Sequence, residues 1–99
     1  MNSSLRQIVI RGRVQGVGYR AWVEQEARAR NIEGWVRNRR DGSVEALFAG
    51  AADTVSEMIA LCGRGPPWAR VEAVEEKPGR PEGLDLRRKT ERFSVLPTF

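Results

Sequence analysis

Asp41-Gly42 separates two alternating runs, GWVRNRR before it and SVEALFAG after it, and this pattern commits the middle of the chain to a β-hairpin. Both turn residues tolerate positive φ. Val36 and Asn38 share one face of the first arm, and Val44, Ala46 and Phe48 share one face of the second. Helical patterns flank the hairpin on both sides. Upstream, Ala21 to Arg30 (AWVEQEARAR) is rich in helix formers, with Trp22, Val23 and Ala27 as an apolar stripe and Asn31 placed for a left-handed cap. Arg30 continues the stripe, its stem laid on the core and its head in water. Downstream, Val55, Met58, Ile59 and Cys62 fall at i, i+3, i+4 and i+7, the spacing of an amphipathic helix. Met58 and Cys62 read as core filler. Gly63 is the predicted stop, and Gly65-Pro66-Pro67 prevents continuation.

Strand patterns lie outside these helices. In Leu5 to Val14, Ile8 and Ile10 share one face and Arg11 and Arg13 the other. Ala69 to Glu76 reads as a strand in which Val71 and Val74 are out of step, the mark of a bulge. Residues 77–91 read as an exposed connection in which Leu84 and Leu86 form a short strand piece, and Arg92 to Leu96 as a last strand. The order is βαββαβ plus a short C-terminal strand. It predicts an α+β, ferredoxin-like α/β sandwich, with two helices on one face of a mainly antiparallel sheet. With no repeat or composition break, residues 1–99 are expected to form a single domain. The first two strands then run parallel with the third between them, two strand spacings (about 10 Å) apart. The glycine-rich loop after the first strand and Asn38 at the end of the second become neighbours in space.

That loop, within GRVQGVGYR (residues 12–20), is the candidate site. A glycine-rich turn entering a helix aims consecutive N–H groups into one concavity, the helix dipole adds positive charge, and Arg20 closes over an anion with parallel hydrogen bonds. The same residues also fit a merely tight strand–helix turn. The spacing is neither that of the Walker loop nor that of the dinucleotide fingerprint. Fifteen arginines against two lysines, at a net charge of +4, favour an anionic partner, although most single arginines serve as solvated surface. The absence of histidine removes Ser-His and Cys-His pairs, the commonest general base and the commonest metal ligand. A lone Cys62 forms no intrachain disulfide and has no activating neighbour. No apolar run approaches a membrane span, and MNSSLRQ lacks a secretory pattern, so the expected compartment is the cytoplasm.

VQGVGYR (Val14 to Arg20), followed after the helix by GWVRNRRDGSVE (Gly34 to Glu45), resembles the acylphosphatase family, and GPPWARVEAVE (Gly65 to Glu75) is similar to its bacterial members. The resemblance spans Arg6 to Glu76 and takes in the last strand. It implies the ferredoxin-like fold and hydrolysis of the carboxyl–phosphate anhydride of acyl phosphates, giving a carboxylate and inorganic phosphate. No metal, cofactor or covalent intermediate is implied. The phosphate-binding loop falls on Gln15, Gly16, Val17, Gly18 and Tyr19, acting mainly through backbone amides. The substrate-binding arginine falls on Arg20 and the water-positioning asparagine on Asn38. Arg30 stands where many members carry an apolar residue, and the connection after the fourth strand is longer than in compact bacterial members.

Several residues keep two readings. Asn38 without the resemblance is a turn residue, and Tyr19 either lines the acyl side of the site or packs in the core. Trp35 and Val36 read as sheet packing. Arg11, Arg13, Arg37 and Arg39 either steer anions or are solvated. Two other functions are weighed against hydrolysis. One is an RNA-binding module on the same fold, for which the strands offer no RNP-type segment. The other is a catalytically idle relative, against which the presence of both Arg20 and Asn38 argues. A monomer acting on a small-molecule acyl phosphate, with no nucleic acid or membrane partner, is expected.

Overall fold

Ile8 and Ile10 are fully buried while Gln7, Val9 and Arg11 beside them are half-exposed, and this alternation decides which side of the sheet becomes the core. The structure, a computed structural model, describes residues 2–99. Its elements are β1 (Ser3–Arg13), α1 (Tyr19–Ala29), β2 (Glu33–Asn38), β3 (Val44–Ala51), α2 (Ala52–Arg64), β4 (Arg70–Pro78), a 3-10 helix over Pro81–Leu86, and β5 (Phe93–Leu96). The strands lie in the order β4-β1-β3-β2-β5. β1 is antiparallel to β3 and β4, β2 is antiparallel to β3, and β5 is parallel to β2. This is the ferredoxin-like arrangement that the element order predicts.

Both helices cover one face. Val23 and Ala27 of α1 and Val55, Met58 and Cys62 of α2 pack with Ile8, Ile10, Val36, Val44, Ala46 and Phe48 in one cluster. Each large apolar side chain so buried contributes about 1.5–3 kcal/mol. Ile59 packs at the edge of the cluster. Asn31 takes φ 56 and ends α1, as its position predicts. In β4, Ala73 faces Arg11 and Val71 faces Gly12, so Glu72 is the extra residue of a bulge. The bulge turns Val71 and Val74 to the same core, which resolves their being out of step. Among the described residues, no helix is long and apolar enough to cross a membrane.

Four expectations need correction. In the hairpin, only Gly42 takes positive φ (91°), and the turn closes through Gly42 N–H on Arg39 O and Arg39 N–H on Ser43 O. Asp41 instead accepts from the N–H and hydroxyl of Ser43. These bonds, aided by Arg39 and Arg11, hold its carboxyl low, at about 2. Second, α2 runs past Gly63 to Arg64 and ends at Gly65, because Pro66 has no N–H with which to extend the ladder. Third, α1 begins at Tyr19 rather than Ala21.

The fourth correction concerns residues 77–91. Leu84 and Leu86 belong to the 3-10 helix rather than to a strand. Leu84 packs with Trp35, Leu47 and Leu96 on the sheet face opposite the long helices, while Leu86 stays exposed. Trp35 donates its indole N–H to Gly83 O at 2.9 Å. The segment therefore serves as a partial lid on the second face, and Trp35 is sheet packing under it.

Candidate active site

The backbone between β1 and α1 is unusual in how many donors it leaves free. From Gln15 to Ala21 no N–H finds a protein acceptor among the described residues, and the first that does is Trp22 N–H, on Gly18 O at 3.1 Å. The first turn of any helix leaves such donors, and a capping side chain or an early carboxylate usually answers them. α1 has neither: its N-cap is Gly18, no side chain caps it, and no acidic residue lies in its first turn. Arg20 occupies that turn instead, where a cation opposes the helix dipole. Local rules for helix stability are broken at this point.

Gly16 and Gly18 make the loop possible through conformation. Their φ angles are 74° and 80°, in the left-handed region that costs other residues about 1–2 kcal/mol. Space is not the constraint, since a Cβ on Gly16 would meet nothing within 4 Å.

The loop is joined to the hairpin by a side chain. Gln15 Nε2 donates to Arg39 O and to Ser43 O, each at 2.7 Å. Register explains why such a tie is needed. Ile10 and Asn38 both pair with Val44, so they stand level on either side of β3. Gln15 lies five residues beyond Ile10, and the chain folds back to reach Asn38. Phe99 fixes the other side of Asn38, donating its N–H to Asn38 O at 2.9 Å.

A pocket of about 400 Å³ opens between these segments, lined by Val14, Gly16, Gly18, Tyr19, Arg20, Ala21, Glu24, Asn38 and Val95. Arg20 makes no hydrogen bond or ion pair among the described residues, and no other arginine lines this pocket. Asn38 Oδ1 is the only buried side-chain polar atom without a hydrogen-bond partner among the described residues. Leaving such an acceptor unpaired costs about 1–3 kcal/mol. A depression of about 430 Å³ by Arg39, Arg40, Asp41, Thr98 and Phe99 holds no buried polar side-chain atom without a partner.

The residues singled out in the sequence are thus unequal. Gly16, Gly18, Arg20 and Asn38 meet at the pocket. Gln15 and Val17 do not line it: Gln15 acts as the tie, and Val17 packs against the core. Tyr19 contributes backbone only, for its ring is buried and its hydroxyl donates to Cys62 O at 2.9 Å. Burial pushes the Cys62 thiol up to about 12 and the Tyr19 phenol above its ordinary range, so neither ionises near neutrality. Arg11 pairs with Glu75, Arg37 with Glu45, and Arg39 with Asp41, whereas Arg13 is exposed and unpaired among the described residues. Among the described residues, no cluster of three His, Cys, Asp or Glu side chains offers a metal site. Sequence reading missed Val14, Ala21, Glu24 and Val95. Glu24 was legible as the residue one helical turn after Arg20, but β5 offered no signal that Val95 would reach the pocket.

Comparison with known proteins shows the family. The acylphosphatase family model matches residues 6–94. The chain is 62% identical over 99 residues to an acylphosphatase of Rhodopseudomonas palustris strain BisB18, covering all of both chains. It is 61% identical over 98 residues to one of Bradyrhizobium diazoefficiens, covering 99% of each. The crystal structure of acylphosphatase from Bacillus subtilis superposes with a TM-score of 0.79 at 34% identity, over 93% of this chain and 97% of that one. Family model, full-length identity and fold agree, and the chain belongs to the acylphosphatase family.

Proposed function

We propose that the pocket hydrolyses the carboxyl–phosphate anhydride of small acyl phosphates, with Arg20 and the loop amides as phosphate clamp and Asn38 as positioner of the attacking water. The observation that carries this reading is Asn38, whose buried Oδ1 has no partner among the described residues and which lines the same pocket as the unpaired Arg20 and the uncapped start of α1. A water held by the Asn38 side-chain amide presents its lone pair to phosphorus. As the water O–P bond forms, the bond from phosphorus to the acyl oxygen breaks, and the carboxylate leaves with the bonding pair. The water's proton passes to a phosphate oxygen, giving inorganic phosphate.

The chemistry suits a site without a strong base. A carboxylate is a good leaving group, with a conjugate acid near pKa 4, so no general acid is needed. A phosphate oxygen with pKa near 6 accepts the proton. What remains is positioning and neutralisation of the charge on the phosphoryl oxygens, which fixed N–H groups and a guanidinium supply. Gln15 contributes by holding the loop to the hairpin.

The test is release of phosphate from benzoyl phosphate in excess chelator by the wild type, Arg20→Gln and Asn38→Ala. Losing a transition-state donor of this kind costs about 10²–10³ in turnover. Arg20→Gln is expected to raise KM and lower kcat, and Asn38→Ala to lower kcat with KM nearly unchanged. Near-normal kcat in Arg20→Gln would remove the clamp from the mechanism.

A further inference from the structure

We infer that Glu24 sets the charge preference of the pocket, so that acyl phosphates whose acyl group carries no second anion are preferred substrates. This rests on the acyl-phosphate reading above and adds a substrate class to it. With the phosphoryl group on Arg20 and the loop donors, and the water on Asn38, the acyl group lies against the remaining accessible walls: Ala21, Val95 and Glu24. Two of these are apolar. The third is the only carboxylate lining the pocket, and it is half-buried, so solvent screens it incompletely.

Glu24 is flanked one helical turn away on each side by a cation, Arg20 before it and Arg28 after it. Its carboxylate takes the Arg28 side, where Nε and Nη2 of Arg28 both donate to Oε2 at 3.3 Å. Arg28 is anchored in turn on Phe93 O. Two consequences follow. Arg20 stays free for phosphate, and a partly neutralised negative charge stays on the acyl wall. Long contacts between half-exposed groups only partly cancel the Glu24 charge. An acyl group ending in a carboxylate meets repulsion there, whereas an aliphatic one meets Ala21 and Val95.

Butyryl phosphate and succinyl phosphate have acyl chains of equal carbon number and differ by a terminal carboxylate. The readout is the ratio of their kcat/KM values in the wild type, Glu24→Gln and Glu26→Gln. Glu26 sits on the same helix outside the pocket, paired with Arg30, and reports the effect of net charge alone. Glu24→Gln is expected to raise the succinyl-to-butyryl ratio about fivefold, equivalent to about 1 kcal/mol, mainly through the KM of succinyl phosphate. Raising the salt concentration is expected to increase the wild-type ratio and leave that of Glu24→Gln nearly constant. A ratio in Glu24→Gln within twofold of wild type, or matched by Glu26→Gln, overturns the inference while leaving the hydrolytic reading intact. Failure of the wild type to hydrolyse either compound overturns the hydrolytic reading itself.

Discussion

Tyr19→Phe removes one oxygen atom from the core, and the structure specifies what that costs. In an α-helix the carbonyl of residue 62 would accept from the N–H of residue 66, but residue 66 is proline and has none. Gly65 N–H is already spent on Leu61 O. The Tyr19 hydroxyl stands in for the missing donor, at 2.9 Å from Cys62 O. Both residues are buried, Tyr19 at 1% exposure and Cys62 at 0%, so water does not replace the lost bond. Leaving a buried carbonyl unsatisfied costs about 1–3 kcal/mol. In a domain of this size each kcal/mol moves Tm by about 4–8 °C, so thermal unfolding of Tyr19→Phe is expected about 4–24 °C below wild type. The measurement is calorimetry at pH 7, with benzoyl phosphate kinetics at 25 °C on the same samples. Because Tyr19 starts α1 directly behind Gly18, kcat/KM is expected to fall only about twofold to fivefold, the loop being less firmly seated. A Tm within 1 °C of wild type would refute the hydrogen-bond argument. A hundredfold loss of turnover at unchanged Tm would place the hydroxyl in the chemistry instead.

Two further outcomes follow from the same core and from the hairpin. Cys62 has its thiol raised from 9.0 to about 12, and Tyr19 is raised from 10.0, both by burial, so the unfolded chain sheds these protons first as pH rises. Stability they contribute is complete below pH 9 and falls above it. The urea midpoint is expected to drop from pH 9 to 11 more steeply in wild type than in Cys62→Ala, the thiol accounting for up to about 1.4 kcal/mol per pH unit. Equal slopes would show that the thiol is not shielded. A variant ending at Thr98 loses the N–H that holds Asn38 O and the ring lying 3.9 Å over the Arg37 guanidinium. Its kcat on benzoyl phosphate is expected to fall about threefold to tenfold with little change in KM, and an unchanged kcat would show that Asn38 needs no such anchor.

The parts of the fold that were legible were those in which neighbours in sequence share a face. Ile8 with Ile10, Val55 with Met58 and Cys62, and the runs around Asp41-Gly42 each carry their periodicity within a few residues. Even the bulge was visible, because Val71 and Val74 cannot both reach one core in a regular strand. The 3-10 helix was not. Its single anchor, Leu84, has its reason for burial in Trp35, Leu47 and Leu96, which lie far away in sequence. The end of α2 was misplaced for a related reason: Gly63 is the more obvious stop, but a missing N–H at Pro66 decides the matter.

For the site, topology alone brought Arg20 and Asn38 together, since β1 and β2 must run parallel with β3 between them. Side-chain ties were invisible to that reasoning. Gln15 was grouped with the loop because its backbone is there, yet its amide reaches two carbonyls on the far side of Asn38. This division has a physical basis. Backbone geometry follows from pattern and handedness, whereas which polar side chain answers which carbonyl depends on angstrom-scale placement set by the whole fold. Catalysis here requires both levels. The sheet sets Asn38 and the loop near each other, Gln15 ties the loop to the carbonyls of Arg39 and Ser43 just beyond Asn38, and Phe99 holds the Asn38 backbone carbonyl. The mechanism proposed above, which uses no strong base, depends on such ties, because an Asn38 side chain free to swing would satisfy itself elsewhere instead of positioning a water.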